Sequence, residues 1–566
     1  MGLLDALGIG MRGLNAAQTA IDVTGQNISN ANTEGYSRKR VSFVADVVGN
    51  DVFGQKGLGV EVAAIDRIRN TFLDRQTWEQ MGDLGYNTEV DTAYTRLENI
   101  LKEPTENGLA AQMNKFWASW QDLANNPGDL SARESVKAGA QVMIDTYQNV
   151  YKQIEDYGLS MNNPLDQKAK TVNDITSRIY LLNEKIAGVE VRDGERANDT
   201  RDQRDLLVRK LSQLVDVQTI EDSNGRCIIT SGGNLLVGPS EALKLETYGV
   251  DKTLSDGTKT SELRLRFTGS YRKYEPRSGE LKGIMDARGQ VLGKYMEDLN
   301  ALASSIVKEV NAAHVTGYNL NKASGTYFFD PEKLKAGNIA LSDSVLADAS
   351  NIAAAEGGKI TDVAILVPSP TLPPVGSPIL DLKNINTAYQ NLTQGSVSIK
   401  LKAVAPALVG TELAEGAGKD YVVDYEKGTI TFVNYARYNA GDALDVKISY
   451  NTTDFSGNGN GQNALKIAGL RLKPSMSVNV EGSFTQSISG FYSATIGKLG
   501  IEKNQNASRK ETKEFLISQM DSEQASISGV SLDEEMTNMI KYENSYKASA
   551  RFIQTINTMM DVLMNI

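Results

Sequence analysis

One cysteine and one histidine stand in 566 residues. Cys227 alone forms no intrachain disulfide and builds no thiolate metal site. His314 alone excludes any mechanism that needs two imidazole ligands, such as a zinc protease. No apolar run reaches the roughly 18 residues of a membrane-spanning helix. Positive charge is also short: 59 Lys and Arg face 70 Asp and Glu, a formal net charge of -11. A general nucleic-acid binder presents a basic face, so that class is disfavoured. The segment from Met1 to Gln18 has no charged stretch ahead of its apolar residues and is interrupted by Asp5 and Arg12, so no cleavable secretory signal is expected. Ala6 stands where a myristoylation motif has Ser or Thr. Gly457, Gly459 and Gly461 lack the Lys-Ser/Thr that completes a phosphate loop, and no serine sits in a Gly-x-Ser-x-Gly elbow. Asp222 to Gly225 starts like a calcium loop but lacks the later ligands, and reads as an Asn-Gly hairpin turn. No catalytic, cofactor-binding or metal-ligating residue is assigned, and neither nucleic acid nor membrane is expected as a partner.

What is present begins at the two ends. Leu4, Met11, Gln18 and Gly25 recur every seven residues, and Leu7, Leu14, Ile21 and Ile28 repeat the series three positions later. At the other end Leu532, Met539, Tyr546, Ile553 and Met560 are spaced by sevens, with Tyr542, Ile556 and Leu563 three behind. These are the two core positions of coiled-coil-like helices. Stripes this narrow need partners, and the reading is that the two ends pair with each other and with other subunits. "GQNISNANTEGYSRKRV", Gly25 to Val41, follows the first helix and reads as a joint. Asn27, Asn30 and Asn32 carry short polar side chains that bond locally to backbone. Gly35 supplies a positive φ, and Tyr36 anchors the exit with its ring. Arg38, Lys39 and Arg40 are expected to be solvated or to face a neighbouring subunit's carboxylates.

The interior is rich in helical spacing. Val90, Tyr94, Leu97 and Leu101 lead to Pro104; Leu109, Met113, Phe116, Trp120 and Leu123 lead to Pro127. Val136, Ala140, Met143, Tyr147 and Ile154 follow, then Val172, Ile175, Ile179, Leu182 and Ile186 after Pro164. Long helices with short breaks predict an elongated bundle. A further helix is predicted over Val291 to Ala312, with His314 at its end as a cap or packed polar residue. "RDQRDLLVRKL", Arg201 to Leu211, reads as a solvated helix face with a core stripe at Leu206, Leu207 and Leu211. Asp533, Glu534 and Glu535 open the last helix, where negative charge complements the helix dipole. Between the helices, alternating strands are predicted around the Asn-Gly turn and again after about residue 356. Lys427-Gly428 turns a hairpin there, and Tyr421, Tyr425, Tyr435 and Tyr450 sit at strand positions as core residues, with a sugar-binding platform as the alternative. The whole is a mainly α elongated multidomain protein with inserted mixed and all-β outer domains.

"GLNAAQTAIDVTGQNISNANTEGYSRKRV" at the front and "LDEEMTNMIKYENSYKASARFIQTINTMMDVLMNI" at the end resemble the axial proteins of the bacterial flagellum. The residues that carry the likeness are Gly13, Leu14, Asn27, Ile28, Asn30, Asn32, Gly35 and Tyr36, and the stretch Leu532 to Ile566. "GYSRKRV", "NDTRDQRDLLVRKLSQLVDV" and "LNALASSIVKEVNAAHVTGYNL" point to the junction members of that family rather than hook or rod subunits. The likeness covers residues 1–355 and 465–566. It implies a terminal helical domain (1–40 and 528–566), an elongated helical domain (41–215 and 480–527), a mixed α/β domain (216–355 and 465–479) and a β-sandwich-like insertion (356–464). It implies a non-enzymatic subunit linking hook to filament, exported through the flagellar type III channel to the cell exterior. The partners so implied are copies of itself in a ring, the hook protein, hook-associated protein 3 on the filament side and a cytoplasmic export chaperone. Leu4, Leu7, Met11, Leu14, Ile21, Ile28, Leu532, Met539, Tyr546, Ile553, Met560 and Leu563 are the expected subunit-interface residues.

Overall fold

The structure, a computed structural model, describes residues 3–51, 54–191, 195–356, 460–477 and 484–564, with short segments between 363 and 448. It is mainly helical and elongated, and both ends of the chain are long helices. Helix α1 (Leu3–Ser29) leads into an antiparallel hairpin of β1 (Lys39–Asp51) and β2 (Gly54–Arg67). Most of this hairpin lies within residues 41–215, the first part of the expected elongated helical domain. "VSFVADVV" and "GVEVAAI" alternate with a period of two, and β-branched residues favour the pleated ribbon. Register shifts after Ser42 and Asp46 increase its twist.

The helical body follows: α2 (Thr71–Leu101), α3 (Leu109–Asn125), α4 (Leu130–Ser160), α5 (Asn162–Val189) and α6 (Asn198–Leu214). Asn70 caps α2 by accepting from the Phe72 and Leu73 N–H groups, and Lys102 (φ 53°) turns the chain out of it before Pro104. Asp129 caps α4 through the Ser131 N–H. Pro164 falls in the first turn of α5, where the missing N–H has no helical partner to lose. The predicted stripes meet in one core: Phe116, Trp120, Val136, Tyr147, Ile154 and Ile179 are fully buried. Each contributes about 1.5–3 kcal/mol of burial.

Next come a three-stranded sheet, β3 (Gln218–Glu221), β4 (Cys227–Ser231) and β5 (Asn234–Val237), and a hairpin, β6 (Leu245–Thr253) and β7 (Lys259–Phe267). In the first turn Asp222 accepts from the Asn224 and Arg226 N–H groups and Gly225 takes φ +75°. Helix α7 (Gly279–Asp286) passes through a π-helical turn (Ala287–Leu292) into α8 (Gly293–Val315), so helix begins earlier than the predicted Val291. After β8 (Gly317–Tyr318), α9 (Asp343–Ala347) and β9 (Ala355–Glu356) the chain enters the insertion. Its described strands form two antiparallel sheets. One has the order β10 (Val363–Ala364), β15 (Ala443–Ile448), β12 (Ser398–Ala403); the other β11 (Ile379–Asp381), β14 (Thr429–Phe432), β13 (Tyr421–Asp424). Tyr421 is buried and donates its hydroxyl to the Val397 carbonyl at 3.0 Å, a core position. Tyr425, Lys427, Gly428, Tyr435 and Tyr450 lie outside the described residues.

The chain returns through α10 (Gln462–Gly469) and a hairpin of β16 (Pro474–Ser477) and β17 (Phe484–Ser487) to α11 (Ile488–Ser528) and α12 (Leu532–Met564). Helix α11 runs antiparallel along α2. Asn506 donates to the Asn87 carbonyl at 2.8 Å, Lys513 pairs with Asp83 at 2.7 Å, and Lys503 pairs with Glu98. The first and last parts of the chain thus lie together along the body. Among the described residues no helix is long and apolar enough to cross a membrane.

His314 is packed inside the body and does not cap α8. Its Nδ1–H donates to the Thr326 carbonyl (2.7 Å) and its Nε2 accepts from the Ala353 N–H (2.8 Å), so these two bonds define a neutral tautomer. The ring lies against Trp120 and Phe328. Burial lowers its pKa to about 4, with the Thr326 carbonyl opposing and Arg133 assisting. An unfolded chain takes up this proton near pH 6.5 and the folded one only near 4, so stability falls as pH drops through that window, by on the order of 3 kcal/mol in all. Since it is the only histidine, urea midpoints of the wild type should fall between about pH 6.5 and 5. His314→Gln, which keeps both hydrogen-bonding roles, should flatten that slope; an unchanged slope contradicts the assignment.

Candidate functional site: the closed chain ends

Helices α1 and α12 lie side by side and antiparallel: Ile553 stands against Gly10, Ser549 against Gly13 and Glu535 against Asn27. The face that α1 buries is made of small residues. Ala6, Gly10, Ala17, Ala20, Thr24 and Asn27 are buried, and with Gly13 they alternate spacings of three and four. A Cβ on Gly10 would stand 2.7 Å from Ile553 Cγ1, and one on Gly13 would stand 3.0 Å from Ser549 Oγ. The approach is closer than larger side chains allow. The seam on α1 is therefore one position before the predicted heptads. Leu7, Leu14, Ile21 and Ile28 are half-buried on its flank, while Leu4 and Met11 are 74% and 53% exposed. On α12, Met539, Tyr546, Ile553 and Met560 are half-buried and Ile556 is buried, whereas Leu532 and Leu563 are exposed. The β1–β2 hairpin covers another side of α1. Ala20, Val23 and Val41 form a small core with Val62, Ile65 and Tyr542 packed on it, and Arg12 pairs with Asp46.

The joint closes this assembly. Asn27 was expected to bond locally, but it sits in the last turns of α1 and reaches across the chain. Its amide donates to the Lys39 carbonyl (2.9 Å) and to Glu535 Oε2 (3.0 Å). Its oxygen accepts from the Lys39 N–H (3.0 Å) and the Tyr36 hydroxyl (2.8 Å). Two donors and two acceptor sites are thereby filled in a residue that is 1% exposed. Asn30 does act locally, donating to the Gln26 carbonyl and accepting from the Thr33 hydroxyl. Asn32 is exposed. Gly35 takes φ +81° with Leu206 close against it, where a Cβ would stand 3.2 Å from that side chain. Burial, then the carboxylates of Asp199, Asp202 and Glu535, push the Tyr36 phenol well up, so it stays protonated as the donor Asn27 needs.

The basic cluster is paired within the chain, not left for solvent or a neighbour. Arg38 holds Glu534 and Glu535 of α12, each at 2.7 Å, and its N–H donates to the Ser528 carbonyl. Lys39 is buried and reaches Asp199 of α6 at 2.6 Å; only Arg40 is exposed. "RDQRDLLVRKL" likewise is not a solvated face: Asp202, Arg204 and Asp205 are all buried. Arg67 binds Asp202 (2.7 Å) and Asp205 (3.0 Å), the Ser37 N–H donates to Asp202 (3.0 Å), and Arg69 clasps Asp74. Burial would raise the Asp205 carboxyl, but Arg204, Arg67 and Arg69 overcome it and hold it below the usual aspartate range. The site is thus a set of interlocked anchors between α1, β1, β2, α6 and α12. Sequence reasoning missed the Gly10–Gly13 seam and the partners Asp199, Asp202, Asp205 and Glu535. The three-four spacing of Gly and Ala was the legible sign of the first.

Known proteins carry matching ends and a matching body. Residues 7–36 match the flagella basal body rod protein family, residues 523–566 the flagellar basal body rod FlgEFG protein C-terminal family, and residues 94–329 the flagellar hook-associated protein FlgK helical domain. Flagellar hook-associated protein 1 of Bacillus subtilis is 28% identical, with 98% of this chain and 96% of that one covered. The Escherichia coli protein of the same name is 25% identical, with 98% of both covered. A solved structure of the flagellar hook junction protein FlgK from Burkholderia pseudomallei shares the fold, with a TM-score of 0.54 and 20% identity over 80% of this chain and all of that one. Closed helical ends of this kind, matched by rod-protein models on both sides, define a subunit of the flagellar axis. Within that class the chain is similar, over nearly its whole length, to flagellar hook-associated protein 1.

Removing Asn27 leaves buried groups of Tyr36, Lys39 and Glu535 unpaired, each worth roughly 1–3 kcal/mol. Asn27→Ala should raise amide exchange in α1 and α12 at least about tenfold while α3–α5 stay protected. Asn27→Asp, which sets a carboxylate against Glu535, should do more at pH 7. Unchanged exchange in both variants contradicts the anchoring role.

Proposed function

We propose that this chain is a structural subunit of the hook–filament junction, whose closed ends build part of the tube wall. The observation that carries this reading is the apolar surface left on the closed pair. Leu4, Met11, Met536, Ile540, Met559 and Val562 are each more than half exposed, on helices already packed against each other. Covering each by a neighbour contributes up to about 1.5–3 kcal/mol, which supports assembly through these helices. The expected interface residues Leu7, Leu14, Ile21, Ile28, Met539, Tyr546, Ile553 and Met560 serve first to flank the internal seam; Leu4, Met11, Leu532 and Leu563 face outward. In this reading residues 1–40 with 528–566 form the wall, the helical and mixed α/β portions stand outside it, and 356–464 is the outermost insertion. The role is mechanical and no reaction is assigned.

The partners are copies of the chain in a ring, the hook protein below, hook-associated protein 3 above, and an export chaperone in the cytoplasm before secretion to the exterior. A hook or rod subunit is the second reading, favoured by the rod-type matches at the two ends; the match over 94–329 favours the junction.

Met559→Asp combined with Val562→Asp alters exposed positions only. The double variant should fold and be secreted, yet cells should lose filaments and shed the protein into the medium. Normal filaments on such cells would contradict the reading, and purified wild-type chain growing alone into long tubes would favour a hook subunit.

A further inference from the structure

Two unlike surfaces flank the joint at the same level. Across the entry to β1, Arg38 reaches Glu534 and Glu535 at the start of α12 and Lys39 reaches Asp199 of α6. On the α12 side, Leu532, Met536 and Ile540 follow one another at four-residue steps and are 49%, 58% and 59% exposed. Asp533 beside them is exposed and has no ion pair among the described residues. Glu534 and Glu535 are held by Arg38 and Glu543 by Lys547, so Asp533 is the carboxylate that this end of the stripe offers to a cation.

On the other side, α5 and α6 leave a groove of about 510 Å³ between them. Its floor is apolar, with Ile175 buried, Leu206 half-buried and Leu181 59% exposed. Its rim carries Lys185 and Lys210, exposed and without an ion pair among the described residues. Arg178 also lines it but is shared with Asp174 at 3.6 Å.

We propose that the acidic, apolar stripe opening α12 docks into the basic-rimmed α5/α6 groove of the next copy around the axis. The occupant is a second copy because stripe and groove complement each other in both polarity and charge and belong to one chain. A contact between two different patches is heterologous, and repetition about an axis closes it into a ring. The inference rests on the reading of the chain as a ring-forming axial subunit, and it specifies which surfaces meet.

The test uses the full chain with Leu181→Cys and Met536→Cys, assembled on hooks in cells. Cys227 is buried, and burial pushes its thiol up to about 12, so it stays unreactive. Mild oxidation should give a ladder of dimers and higher species on non-reducing gels, with monomer only from either single variant. Adding Lys210→Glu should reduce the ladder about fivefold, and Asp533→Lys should restore it. Protein seated at the hook tip that oxidises to monomer alone overturns the docking and leaves the proposed function standing. A wild-type chain absent from the hook tip overturns both.

Discussion

The side-chain amide of Asn27 makes every hydrogen bond open to it, and the partners come from two separate pieces of chain, the joint at Tyr36 and Lys39 and the start of α12 at Glu535. One of them, Glu535, is 508 residues away. An amide buried with its bonds unmade is costly, and the same low-polarity surroundings strengthen the bonds that are made. The requirement therefore fixes where α1 ends, where β1 begins and where α12 starts. The rest of the terminal assembly follows from that fixed point. Antiparallel helices that meet at Asn27 and Glu535 run back along each other with Gly10 and Gly13 at the closest approach. Small side chains hold them close, so the large apolar ones turn to the flanks and outward.

A second constraint ties this end to the body. Asp202 and Asp205 are buried and cannot be left unpaired. Arg67 ends the hairpin, Arg69 follows it, Arg204 lies on α6 itself, and together they supply the countercharge. Such buried pairs add little net stability relative to apolar packing, yet breaking one is expensive. They are suited to holding one angle between terminal helices and body. Geometry links sequence to assembly here: fixed ends, a fixed angle, and an apolar surface presented on the closed pair.

Much of the helical fold was legible. Helix stripes such as Val136, Ala140, Met143 and Tyr147 occupy the core as their spacing predicts, because a three-four repeat of large apolar residues has one buried solution. On α12 the middle of the series, Met539 to Met560, is half-buried beside the seam for the same reason, while Leu532 and Leu563 at its ends are exposed. On α1 the periodicity was present but its face was misjudged: large residues drew attention, while close packing here uses glycine and alanine. The charged run on α6 was unreadable from one segment, since apart from the adjacent Arg204 the ion-pair partners of Asp202 and Asp205 lie more than 130 residues away. Arg38 and Lys39 failed in the same way. The hairpin of residues 39–67 carried its alternation in plain view, overshadowed by the helical likeness around it.

The central claim is that each copy closes its own two ends before presenting a surface to its neighbours. A density map of the assembled hook–filament junction, clear enough to trace side chains, tests it most directly. The account predicts Asn27 bonded to Lys39 and Glu535 of the same copy, with Met559 and Val562 against adjacent subunits. Asn27 facing the Glu535 of a different copy, or those apolar residues bare toward the central channel, would contradict it.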